Sequence, residues 1–197
     1  MNLPTKLTVL RIVLIPVFVA LYFVKFPFNG IAAVAVFMIA CFTDFLDGHL
    51  ARKWNQVTTL GKFLDPIADK LLVMCAMVCV VMNGTVGETF TLILAIYLMV
   101  IESRELAISC FRTIAAAKGT IMQADKWGKS KTFTQMIALI ILVPHKCLVE
   151  HFGSATSFTD IWFYVGFGLL SVAVVLAIIS ACNYMTKNKA VFKDDNN

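Results

Sequence analysis

The sequence predicts an all-α, polytopic membrane protein with six transmembrane helices. Of its 197 residues, 59% are hydrophobic and 15% charged, against about half and a quarter in an average soluble domain. The apolar residues collect in stretches near the ~20 residues that a helix needs to cross about 30 Å of hydrocarbon. Lys and Arg, finally, fall almost wholly at one set of stretch ends.

The six stretches run over residues 7–24, 30–50, 63–82, 90–114, 132–149 and 161–182. The first has no small-residue cleavage site after it and carries Arg11 near its start, so it reads as a retained helix rather than a leader. Between the third and fourth, Asn83-Gly84-Thr85-Val86-Gly87 reads as a turn. Six crossings put both termini on one side. All of the 17 Lys and Arg residues except Lys25 and Lys146 belong to that side. Short cytoplasmic loops retain such residues, which places the termini and basic loops in the cytoplasm. One helical domain over residues 1–186 followed by a polar tail, 187–197, is the expected organisation. The net charge of +5 suits an anionic leaflet or anionic substrates better than nucleic acid. Six cysteines without paired ligand spacing read as small hydrophobes, including Cys75 and Cys79 on one helix face.

Chemistry concentrates at the junction of the second and third stretches. Thr43-Asp44-Phe45-Leu46-Asp47-Gly48-His49-Leu50-Ala51-Arg52 is followed, after eight residues, by Gly61-Lys62-Phe63-Leu64-Asp65-Pro66-Ile67-Ala68-Asp69-Lys70. Asp44 and Asp47 are three apart and Asp65 and Asp69 four apart, so each pair shares a helix face. Counted at 1.5 Å per residue, all four lie near the cytoplasmic edge of the hydrocarbon. Carboxylates there are costly unless they face a polar cavity or a cation. Four together repel unless divalent ions bridge them, and hard oxygen ligands suit Mg²⁺ or Mn²⁺. The pattern therefore reads as a two-metal site for in-line displacement at phosphorus. Gly48, Ala51 and Gly61 remove bulk beside the carboxylates; close helix packing and close approach of a flat ligand both remain open as the reason.

These residues resemble the signature of the CDP-alcohol phosphotransferases, Asp-x2-Asp-Gly-x2-Ala-Arg-x8-Gly-x3-Asp-x3-Asp, at every defined position. An accidental match to eight positions at about 6% usage each has a probability on the order of 10⁻¹⁰ per start, which rules out coincidence. The resemblance implies the six-helix fold of that family over the whole chain and a homodimer in the membrane. It implies two divalent cations held by Asp44, Asp47, Asp65 and Asp69, with Asp69 also the general base. Gly48, Ala51, Arg52 and Gly61 would border the CDP moiety of the lipid.

The acceptor is addressed by three further segments. The segment Asn2-Leu3-Pro4-Thr5-Lys6-Leu7-Thr8-Val9-Leu10-Arg11 resembles the amino-terminal pattern of bacterial phosphatidylglycerophosphate synthases. Arg104-Glu105 followed by Arg112, and Gly128-Lys129-Ser130-Lys131-Thr132, are similar to that subgroup too. This implies CDP-diacylglycerol and glycerol 3-phosphate as substrates, a bacterial inner membrane and a role in anionic phospholipid synthesis. Physically, Arg104, Arg112, Lys129 and Lys131 at inner helix ends suit an acceptor phosphate, although basic residues there also anchor helices to anionic headgroups. Glu105 could orient Arg104 or Arg112, or form an ordinary ion pair. A different acceptor within the family, a cation or proton pathway and an inactive scaffold are the competing readings; a pathway would need ionisable groups through the full depth, whereas the acids cluster at one edge.

Overall fold

The computed structural model describes residues 3–54, 59–117, 126–153 and 157–187, without the side chains of 3–5, 45–54, 59–63, 117 and 126. Every regular element among them is helical: α1 Leu3–Phe23, α2 Asn29–Trp54, α3 Thr59–Val81, α4 Gly87–Ala117, α5 Lys126–Leu142, α6 His145–Phe152 and α7 Ser157–Lys187. Five of the expected stretches appear as single helices. The fifth divides at Pro144, whose ring has no N–H to continue the α5 ladder and which instead precedes α6. The polar tail beyond Lys187 lies outside the described residues.

By length and composition, α1, the α5–α6 pair and α7 can each cross a membrane, and α2 contributes a shorter apolar run, Asn29–Asp44. This is a membrane-embedded helical bundle. In α3 and α4 ionisable residues occupy part of the length, Asp65, Asp69 and Lys70 in one and Glu102, Arg104 and Glu105 in the other, and these are the residues that form the site.

Packing falls into two groups. α1 lies against α2 and α3, α7 lies against α5 and α4, and α3 joins the groups through α4 and α5. The apolar core runs through both, with Phe18, Phe37, Leu72, Met77, Leu94, Ile101, Leu139 and Leu170 all buried. Polar ties close the end away from the motif. Asn29 donates to the carbonyls of Tyr22 and Val24, fastening the start of α2 to the end of α1. His145 meets Asn83 and Thr85, joining α6 to the α3–α4 turn. At Gly30, a β-carbon would stand 2.7 Å from Cβ of Cys147 and 3.2 Å from Cα of Pro144, so α2 approaches α6 at a distance that only glycine permits. All six cysteines are free; Cys79 and Cys147 are buried, whereas Cys110 and Cys182 are exposed.

Candidate active site

Three helices bring the acidic residues together. Asp44 follows the apolar run of α2, and Asp65 and Asp69 sit in the first half of α3, where Pro66 lies. Asp44 is within electrostatic reach of both Asp65 and Asp69. The third contributor is α1. Arg11, 0% exposed, places Nη1 2.7 Å from Oδ1 of Asp44, and the Thr8 hydroxyl donates to Oδ1 of Asp65 at 2.5 Å. Thr8 and Arg11 are three residues apart, so one face of α1 meets a carboxylate from each of the next two helices. A fully buried arginine supplies the cation that an acid near hydrocarbon requires.

Asp47, Gly48, Ala51, Arg52 and Gly61 lie on the backbones of α2 and α3, but their side chains are outside the described residues. Among the described residues no three Asp, Glu, His or Cys side chains stand together as a ready metal cage. Asp44, Asp65 and Asp69 nevertheless offer hard anionic oxygens of the kind that suits a divalent cation, so the chemistry of the donor set fits one.

The basic residues form a second group on α4 and α5, with Ser180 and Tyr184 of α7 against them. Arg104 donates from Nη1 to Glu105 at 2.9 Å and from Nη2 to the Ser180 hydroxyl at 2.6 Å. Gly128 leaves room for this guanidinium, since a β-carbon there would lie 3.1 Å from Nη2. The Arg112 guanidinium sits 5.8 Å from the ring centre of Tyr184, within cation–π range. Arg104, Arg112, Gly128, Lys129 and Tyr184 line a cavity of about 430 Å³.

Lys131 behaves differently from the other three expected phosphate ligands. It is 2% exposed, donates to Glu105 at 2.8 Å and lines a separate cavity of about 40 Å³. That small cavity is also walled by Asp69, Lys70, Glu102 and Gln135, and it shares Glu105 and Thr132 with the large one. Lys70 in turn donates to Ser109 of α4. The acidic and cationic groups thus meet at Asp69 on one side and Glu105 on the other.

Thr8, Arg11, Ser180, Tyr184 and Gln135 were not expected as site residues. Thr8 and Arg11 carry a readable signal, a polar pair at helical spacing inside an apolar stretch. Ser180 is a small polar residue within an apolar run of α7 and carries none, and Gln135 closes the polar amino-terminal stretch of α5, where nothing sets it apart from its neighbours.

A profile of the CDP-alcohol phosphatidyltransferase family matches residues 1–179. The chain belongs to the CDP-alcohol phosphatidyltransferase family. Members of this family generally use divalent metal ions. Curated relatives agree along nearly the full length. A CDP-diacylglycerol–glycerol-3-phosphate 3-phosphatidyltransferase of Bacillus subtilis (strain 168) is 36% identical, with 99% of each chain covered. Proteins of the same name from Pseudomonas fluorescens and Shigella flexneri serotype 5b are 37% and 38% identical, covering 94% and 98% of this chain and 89% and 98% of their own.

Proposed function

We propose that the chain transfers the phosphatidyl group of CDP-diacylglycerol to the primary hydroxyl of glycerol 3-phosphate, giving phosphatidylglycerophosphate and CMP. The observation that carries this reading is the pair of adjoining cavities. A large one lined by Arg104, Arg112 and Lys129 meets, at Glu105 and Thr132, a small one walled by Asp69 and Lys131. A phosphate held by cations in the first directs a hydroxyl toward a carboxylate in the second. The names of the relatives support the same pair of substrates.

In this reading Asp44, Asp47, Asp65 and Asp69 hold two divalent cations, Mg²⁺ or Mn²⁺. When bound, these ions supply charge neutralisation for a diphosphate and for the departing CMP. Asp69 accepts the proton of the acceptor hydroxyl. The freed oxygen forms a bond to the lipid-side phosphorus as the bond from that phosphorus to the CMP oxygen breaks, and Arg52 stabilises the leaving phosphate. Gly48, Ala51 and Gly61 give the nucleotide a flat path along α2 and α3. Arg104, Arg112 and Lys129 bind the acceptor phosphate, and Lys131 holds positive charge beside the entering hydroxyl. Arg11 and Thr8 orient Asp44 and Asp65.

Residues 1–186 act as one catalytic domain crossing a bacterial inner membrane six times, with the site, both termini and the 187–197 tail in the cytoplasm, as a homodimer. The asymmetry of Lys and Arg supports that orientation.

The test is an assay in mixed micelles with labelled glycerol 3-phosphate and CDP-diacylglycerol. Lipid-soluble label and CMP should appear in equal amounts. Product formed from serine, inositol phosphate or phosphatidylglycerol but not from glycerol 3-phosphate would overturn the acceptor. EDTA should abolish turnover and Mg²⁺ should restore it; undiminished activity in EDTA would overturn the role given to the carboxylates.

A further inference from the structure

The small cavity contains a buried amide that the reaction above does not use. Gln135 lies one helical turn beyond Lys131 on α5, is 1% exposed, and lines the cavity together with Asp69, Lys70, Glu102, Glu105, Lys131 and Thr132. Among the described residues its Nε2 has no hydrogen-bond partner. Buried amides are almost always satisfied, and an unpaired one in a native interior calls for an explanation. The nearby cations are already engaged, Lys131 by Glu105 and Lys70 by Ser109. An uncharged donor remains.

Size limits what that donor can meet. The cavity of about 40 Å³ exceeds the ~10–15 Å³ that one water needs, so it admits a hydroxyl-bearing end, and at about a tenth of its neighbour's volume it is the poorer place for a phosphate. The neighbouring cavity of about 430 Å³, with Arg104, Arg112 and Lys129, has room for the phosphate. With the phosphate there and the primary hydroxyl at Asp69, a three-carbon acceptor has a single polar group left over, the secondary hydroxyl on its middle carbon. We propose that Gln135 is a specificity-determining residue whose amide donates a hydrogen bond to this secondary hydroxyl, so that the enzyme selects a vicinal diol phosphate over a simple hydroxyalkyl phosphate. The inference rests on the reading that glycerol 3-phosphate accepts at Asp69.

A site built to bond a hydroxyl discriminates strongly against the analogue that lacks it, because its own polar group is then left unpaired. The experiment compares glycerol 3-phosphate with 3-hydroxypropyl phosphate, which lacks only the secondary hydroxyl, in the full-length enzyme with CDP-diacylglycerol. The wild type should favour glycerol 3-phosphate by about 100-fold in kcat/KM. Gln135→Leu should bring the ratio within about threefold by losing activity on glycerol 3-phosphate while keeping that on the deoxy acceptor. Gln135→Met, whose flexible side chain preserves packing, should behave alike and provides the same readout if the leucine variant does not fold. An unchanged acceptor ratio in the folded variants, or equal loss on both acceptors, would overturn the assignment. A wild type inactive on glycerol 3-phosphate would instead overturn the reading beneath it.

Discussion

Replacing Glu105 with glutamine should destabilise the bundle more than its partly exposed position suggests. Its carboxylate accepts from Lys131 at 2.8 Å and from Arg104 at 2.9 Å, and Lys131 is 2% exposed against 23% for the Glu105 side chain. Removing one member of a buried pair costs about 3–5 kcal/mol, because the survivor stays charged and buried. Two effects reduce this. Solvent reaches Glu105, and a chain unfolded within lipid or detergent still finds partners for its polar groups. The expected loss is then about 2 kcal/mol, or about 4–8 °C in Tm for a chain of this length. Lys131→Met should cost about 1 kcal/mol, since Arg104 still neutralises Glu105. The double variant Glu105→Gln/Lys131→Met should be less damaged than the sum of the singles by about 1–2 kcal/mol. Unfolding in lipid–detergent micelles can be followed by labelling of the buried Cys79 and Cys147 with a thiol-reactive dye. A Glu105→Gln midpoint within about 1 °C of wild type, or strict additivity in the double variant, would refute the claim that this charge holds Lys131 in place.

Asp69→Asn should abolish turnover while leaving CDP-lipid binding measurable, and near-normal activity would remove Asp69 as base. Arg104→Ala should raise KM for glycerol 3-phosphate at least about 10-fold, because its guanidinium is nearly enclosed between Glu105 and Ser180. Exposed Lys129→Ala should raise KM only about threefold and lose that effect in high salt. Gly30→Val should lower stability by about 1–3 kcal/mol through its collision with Cys147 and Pro144. Its kcat below the melting range should match wild type, since Gly30 at the start of α2 lies about 21 Å along the helix from Asp44; a reduced kcat would show that the two positions are coupled.

Hydropathy and spacing located the helical stretches, and α1, the α5–α6 pair and α7 have the length and apolar composition that lipid imposes on a crossing. The division at Pro144 escaped that reading since the apolar run continues on both sides of it. That Asp65 and Asp69 share a face of α3 followed from helical periodicity, while their nearness to Asp44 on α2 was expected from the cost of leaving such carboxylates unbridged. Which residue would face Asp44 did not follow, because periodicity fixes a face of α1 without saying which helix that face meets. Lys131 shows the same gap. Beside Lys129 in sequence the two look equivalent, yet one α5 face turns into the bundle and the other outward, so one lysine is enclosed and the other exposed.

The enclosed Arg11 bears on how the bundle is assembled. In a chain delivered to the bilayer from its amino terminus, α1 is in place before α2 emerges, so a counter-ion is waiting when Asp44 must leave water. The acid then enters as half of a dipole rather than as a bare charge, and the first helix works as an intramolecular escort for the second. A chain carrying Arg11→Leu would reach the insertion step with no such escort, and its defect would be visible as lost membrane integration before any activity was measured.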